Sequence, residues 1–217
     1  MSINRTKWKV CAALGENLWS SPKVQRFNKK KWAKAKKQKI GFYYPQTSRN
    51  KTHLQPSLYV YKGRLTAKQK LRNFYGNISE KTFKATYIKS KLKNNFVGLL
   101  ESRLDTVLYR MGFVSTVFAA RQFISHGSVV VNGLRADVKS ASLKTGDFLE
   151  ITTKAWPRTF DELDERFKDK EQTLHPLPRH LEVNYSVLKA VFLGEPSLTE
   201  TSYGSRMNVD LVKEFYK

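Results

Sequence analysis

Apolar residues recur with a helical period through the middle of the chain. From Leu99 to Met111, the positions Leu100, Leu104, Val107, Leu108 and Met111 trace one stripe, and Gly112 stops the run. Arg103 and Arg110 are one heptad apart, so in an unbroken helix they lie within ~20° of each other and form a single basic edge beside the stripe, a candidate RNA-binding one. Ser115 or Thr116 then offers a cap for a second helix. Ala120, Phe123 and Ile124 pack inward there, while Arg121 with Ser125, and Gln122 with His126, are i, i+4 pairs on a polar face. Gly127 ends that helix. Ser128–Val131 has the β-branched enrichment of a strand, and Asn132-Gly133 is the favoured two-residue hairpin turn leading into Leu134-Arg135-Ala136. A second turn, Lys144-Thr145-Gly146-Asp147, precedes a last strand at Phe148–Ile151. The pattern predicts a small α+β module.

The flanks are plainer. Ala67–Tyr75 reads as a helix closed by Gly76, with Leu71, Phe74 and Tyr75 as its stripe and Lys68, Lys70 and Arg72 outside it. Ser79 caps a further helix, with Thr82 where a capping box has Glu or Gln. Phe83, Tyr87, Ile88 and Leu92 follow on one face, the placing of core aromatics and not of base-stacking ones. Residues 1–28 are mixed, and Gly41–Ser57 reads as a loop. Beyond Thr152 the pattern gives a mixed-charge helix at Asp161–Glu171 and a proline-punctuated linker at Leu174–Glu182. An extended stretch, Val183–Leu193, and a terminal helix, Val209–Tyr216, complete the chain.

Charge changes the picture. The net charge of +22 is carried entirely by residues 1–98, where 24 lysines and arginines face only Glu16 and Glu80; residues 99–217 hold 16 of each sign. Such segregation calls for a polyanionic partner. Its densest part contains Lys29, Lys30, Lys31, Lys34, Lys36 and Lys37, with Trp32 among them. This stretch reads as an arm laid along phosphates and ordered on binding.

Other chemistry is scarce. Hydrophobic residues make up 40% of the 217, enough for a packed core in one domain or in one domain inserted into another. Cys11 stands alone, which excludes an intramolecular disulfide and a cysteine-based zinc site. No run reaches the ~18 apolar residues of a membrane span, and the N-terminus lacks a secretory core. His53, His126, His175 and His180 are scattered, so neither a metal nor a cofactor is expected. Ser102-Arg103-Leu104-Asp105 resembles the Arg-Leu-Asp triplet that carries the aspartate of pseudouridine synthases. That would make the chain an RNA-modifying enzyme or its targeting subunit. With Leu104 on the buried stripe and no catalytic domain following, Asp105 reads instead as a helix-surface or packing residue.

LLESRLDTVLYRMGF and AARQFISHGSVVVNG together resemble the RNA-binding module named after the fourth protein of the small ribosomal subunit. The flanks LTAKQKLRNFYGNISEKTF, LPRHLEVNYSVLKAVF and VDLVKEFYK resemble that ribosomal family itself, in its bacterial type with an alphaproteobacterial or mitochondrial flavour. The likeness covers about residues 60–217 and more faintly 7–27. It implies an α+β fold: a mainly helical domain built from both chain ends (58–98 and 153–217), an inserted module (99–152) and a basic arm (1–57). It also implies a structural protein that binds small-subunit ribosomal RNA at a helix junction of the 5′ domain and nucleates assembly. Such a protein lies near the channel by which mRNA enters, beside the S-three and S-five families. Arg103, Arg121, Gln122, His126, Asn132, Gly133, Lys68, Lys70 and Arg72 would then face RNA. Val117 departs from the arginine of many relatives, Gly41–Leu65 replaces the family's glycine- and histidine-rich loop, and the four N-terminal cysteines of zinc-binding relatives are absent. Lysine outnumbers arginine 27 to 13, with Asn, Phe and Tyr frequent, as an AT-rich gene would give. The likeness begins near the N-terminus, leaving no room for a presequence. The expectation is therefore an organelle-encoded mitochondrial protein, with the bacterial cytoplasm as the alternative.

Overall fold

The computed structural model describes residues 7–14, 16–19, 56–93, 95–168, 177–203 and 207–217. They group into two compact units, Met1–Ser79 with Tyr203–Lys217, and Glu80–Ser202. These boundaries differ from those expected from the sequence at 57, 98 and 152. No helix among the described residues is long and apolar enough to cross a membrane.

The described part of the first unit is helical and comes from both ends of the chain: α1 (Lys7–Leu14), α2 (Pro56–Phe74) and α8 (Val209–Phe215). Helix α2 starts well before Thr66, at a proline, which the first turn tolerates because its N–H has no intrahelical acceptor there. Leu71, Phe74 and Tyr75 are buried as their spacing predicts, in one unit with Cys11, Leu18, Trp19, Val209 and Val212. The Trp19 indole donates to the Phe74 carbonyl at 3.4 Å, and Phe74 meets Tyr203 edge-on at 5.1 Å. Gly76 (φ +76°) and Asn77 (φ +54°) make the left-handed step that returns the Ile78 N–H to the Arg72 carbonyl.

The second unit opens with α3 (Glu80–Lys93), then α4 (Phe96–Glu101), α5 (Leu104–Arg110) and α6 (Val117–Ser125). In α3, Phe83 and Tyr87 are buried and meet Phe96 edge-on, but Ile88 and Leu92 are 55% and 92% exposed, so the stripe expected there is half as wide. The helix expected over Leu99–Met111 is two helices. Arg103 is extended (φ −71°, ψ 136°) because its segment pairs with 139–143: Leu143 N–H donates to the Ser102 carbonyl, Leu104 N–H to Ala141 and Asp105 N–H to Lys139. All five stripe residues are nonetheless fully buried.

A five-stranded antiparallel sheet follows, in the order β2-β1-β3-β5-β4, from β1 (Val129–Val131), β2 (Leu134–Arg135), β3 (Phe148–Ile151), β4 (Leu181–Asn184) and β5 (Lys189–Phe192). Helix α7 (Trp156–Lys168) lies between β3 and β4 in the chain. The extended stretch Val183–Leu193 thus belongs to a hairpin, and it joins the module's own sheet through Leu149 opposite Ala190. The core is shared by Leu108 of α5, Met111 just past its end, Ile124 of α6, Leu163 of α7 and the inward residues Val129, Leu149, Ile151 and Phe192. The Asn132-Gly133 turn has positive φ at both residues (+50° and +80°), the geometry that matches strand twist.

Candidate nucleic-acid interface

The break between α4 and α5 decides where the central arginines go. Arg103 lies before the first turn of α5 and Arg110 ends it, so the basic edge they would share on a continuous helix does not form. Arg110 is 5% exposed. It grips the fully buried Glu101 with two hydrogen bonds of 2.6 and 2.9 Å and also donates to the Ser202 carbonyl. Arg110 is therefore a core ion-pair residue and not part of an RNA-facing edge.

Arg103 turns the other way, to Asp105. Its Nε and Nη2 donate to the two carboxylate oxygens at 3.1 Å each, and Arg121 of α6 donates its Nε to Asp105 Oδ2 at 2.7 Å. Asp105 has no exposed surface, and its Oδ1 also accepts the Thr106 N–H at 3.0 Å. The packing role read for Asp105 is thus seen, and the aspartate is sealed from any substrate. Arg121 is not simply a surface residue: its side chain is 19% exposed, and the Ser125 hydroxyl bonds its carbonyl, not its guanidinium.

Helix α6 forms because Thr116, in extended backbone, accepts the Ala119 N–H at 3.1 Å. Gln122 and His126 stand exposed on it and border a groove of about 290 Å³. Phe113, Ala119 and Phe123 give it apolar lining, and Lys154 and Arg158 line it as well. Those two cations come from beyond the boundary expected at 152, which is why the pattern did not bring them to this face. Arg135 is a third addition. Its guanidinium occupies the space a side chain on Gly127 (φ +65°) would fill, and it donates to the His126 carbonyl at 3.4 Å. A glycine closing a helix is already explained by its turn, so nothing in the sequence signalled this approach. Asn132 is exposed but works within the fold: its amide donates to Asp147 and accepts the Phe148 N–H, both at 2.9 Å, tying the two turns together. Gly133 sits at the tip of the hairpin, with open space where a side chain would stand.

The cations of α2 are largely engaged inside their own unit. Lys68 is 7% exposed, with its ammonium 3.9 Å from the Phe215 ring centre, and Lys70 is ion-paired with Glu16. Arg72 is half-buried and donates to Asn77 Oδ1 at 3.1 Å. The row of three expected to face RNA is not presented as one. Lys29, Lys30, Lys31, Lys34, Lys36 and Lys37 lie outside the described residues.

His180 shows a different chemistry. It is 6% exposed, meets Phe192 edge-on at 6.0 Å, and neither ring nitrogen has a hydrogen-bond partner among the described residues. Burial pushes its pKa below the usual 6.5, Glu101 opposes the shift, Arg110 adds to it and Glu200 opposes it. The folded unit therefore holds the neutral ring, while the unfolded chain takes up a proton below 6.5. This stabilisation is full above that pH and is lost as pH falls. Thermal melts of His180→Phe should lose part of the wild-type decline in Tm between about pH 7.5 and 5.5; an unchanged decline would assign it to other groups.

Residues 102–149 match the S4 domain. Over 97% of its length the chain aligns with 96% of the small ribosomal subunit protein uS4 of Brucella anthropi, at 39% identity. The uS4 proteins of Bartonella quintana and Maricaulis maris are each 36% identical over the same shares. The chain belongs to the uS4 family. The matched S4 domain runs from the helix break into β3, so it holds the Arg103–Asp105–Arg121 cluster, Gln122, His126 and the hairpin but not Lys154 or Arg158. These uS4 relatives are bacterial and lend no support to the mitochondrial expectation.

Proposed function

We propose that this protein is a structural, non-catalytic component of the small ribosomal subunit that binds the subunit's RNA directly. The observation that carries the reading is the near end-to-end alignment with proteins named for that subunit, S4 domain and flanks together. The physical features agree with it. A net charge of +22 confined to residues 1–98 supplies phosphate neutralisation, and the α6 face adds shape-dependent contacts. By family resemblance, the RNA is a helix junction in the 5′ domain, where binding nucleates assembly. The neighbours are then the S-three and S-five families near the channel by which mRNA enters. The bacterial relatives favour a bacterial cytoplasm over the mitochondrial location expected from a composition rich in Lys, Asn, Phe and Tyr.

The reading of an RNA-modifying enzyme loses its candidate aspartate, because Asp105 is buried under two arginines. Sucrose-gradient sedimentation of a lysate tests the main proposal. The protein should travel with the small subunit, and recovery only at the top of the gradient would refute a ribosomal role.

A further inference from the structure

We infer that Asp105 is a positioning residue for RNA, a buried carboxylate that fixes Arg103 and Arg121 relative to each other so that the pair engages one phosphate. The inference rests on the RNA-binding reading above. One carboxylate serves two guanidiniums that come from different places in the chain, one before α5 and one within α6. Arg103 uses one edge of its fork, Nε with Nη2, and Arg121 uses Nε. A guanidinium carries five N–H groups in one plane, so an edge held against Asp105 fixes the direction of the whole fork. The side chains are 11% and 19% exposed, so their stems are enclosed and only part of each reaches solvent. The entropy of ordering two long side chains is thereby lost on folding and not on binding.

The Glu101–Arg110 pair in the same unit supplies a contrast. There one acid meets one base with exposures of 0% and 3%, and nothing reaches the surface. At Asp105 two cations converge on one anion, and each keeps part of its side chain exposed, 11% for Arg103 and 19% for Arg121. Further, the Asp105 backbone N–H is bonded to the Lys139 carbonyl at 3.2 Å, so the carboxylate is held by the 139–143 segment as well as by its own helix.

The test turns on a sign. Asp105→Asn removes a negative charge, so general electrostatics makes the full-length protein bind RNA more tightly. If Asp105 positions the arginines, binding weakens instead by about tenfold, the size of one charge-assisted hydrogen bond. Affinity for a small-subunit RNA 5′-domain fragment would be measured with Asp105→Asn, Arg103→Ala, Arg121→Ala and Arg121→Lys. Arg121→Lys keeps the charge and loses the planar fork, so it should weaken binding nearly as much as Arg121→Ala. It also decides the matter if Asp105→Asn does not fold. Wild-type affinity in Arg121→Lys, or unchanged or tighter binding in a folded Asp105→Asn, would overturn the positioning role while leaving the RNA reading intact. Wild-type affinity in both alanine variants would overturn the RNA reading of this face itself.

Discussion

Glu101→Ala is expected to destabilise the Glu80–Ser202 unit by about 3–5 kcal/mol, the usual cost of leaving one half of a buried ion pair unpartnered. Glu101 has no exposed surface and Arg110 is 5% exposed, so water cannot replace the lost carboxylate. The guanidinium would keep its bond to the Ser202 carbonyl but lose both charge-assisted bonds. Replacing the pair together, Glu101→Leu with Arg110→Met, should recover most of the loss, because neither charge is then buried alone. Urea unfolding of the two single variants and the double variant closes the cycle. The same set tests the sequence-based reading of Arg110. As a core residue it should change RNA affinity only in proportion to lost stability. An Arg110→Ala variant that melts like the wild type but binds RNA poorly would return Arg110 to the RNA face.

That contrast shows what a periodic pattern records. The stripe Leu100, Leu104, Val107, Leu108, Met111 was legible because burial follows from spacing, and it survives even though the helix carrying it is broken. The break was not legible. Its cause is the pairing of the Ser102–Asp105 backbone with 139–143, an interaction that leaves no mark in local periodicity. Turns were legible for a local reason, since Gly127, Asn132-Gly133 and Gly146 need positive φ where the chain reverses.

The destinations of the cations were not legible. Arg110 meets an acid nine residues upstream, Lys70 one in α1's neighbourhood at Glu16, and Lys68 a ring in the last helix. A polar position on a helix wheel says that a side chain can reach solvent. It does not say whether a partner from another element intercepts it. The sheet repeats the lesson. Val183–Leu193 reads as extended, yet its place beside β3 depends on registry across the interval that holds α7. For the same reason Lys154 and Arg158 were missed, since they reach the groove of Gln122 and His126 only after the chain has passed the end of the patterned module at Thr152.

With Lys68, Lys70 and Arg110 spent on internal contacts, the basic stretch that begins at Lys29 carries more of the expected grip on RNA. Substituting Lys29, Lys30, Lys31, Lys34, Lys36 and Lys37 together by Gln should flatten the dependence of log K on log salt by about 4–5, at ~0.7–0.9 for each phosphate no longer neutralised. The wild-type protein, neutralising at least that many phosphates, should lose on the order of a thousandfold in affinity between about 50 and 200 mM salt. A matched set of Lys→Arg substitutions, which keeps every charge, should retain the steep slope. The two sets separate charge from shape: the S4 domain and its Asp105 cluster are identical in both, so any difference belongs to phosphate neutralisation by the arm. If the Gln variant keeps the wild-type slope, the +22 of residues 1–98 serves something other than this RNA, and the grip lies in the α6 face. If the slope falls while discrimination between the 5′-domain fragment and an unrelated RNA persists, the arm supplies affinity and the folded module supplies the choice of RNA.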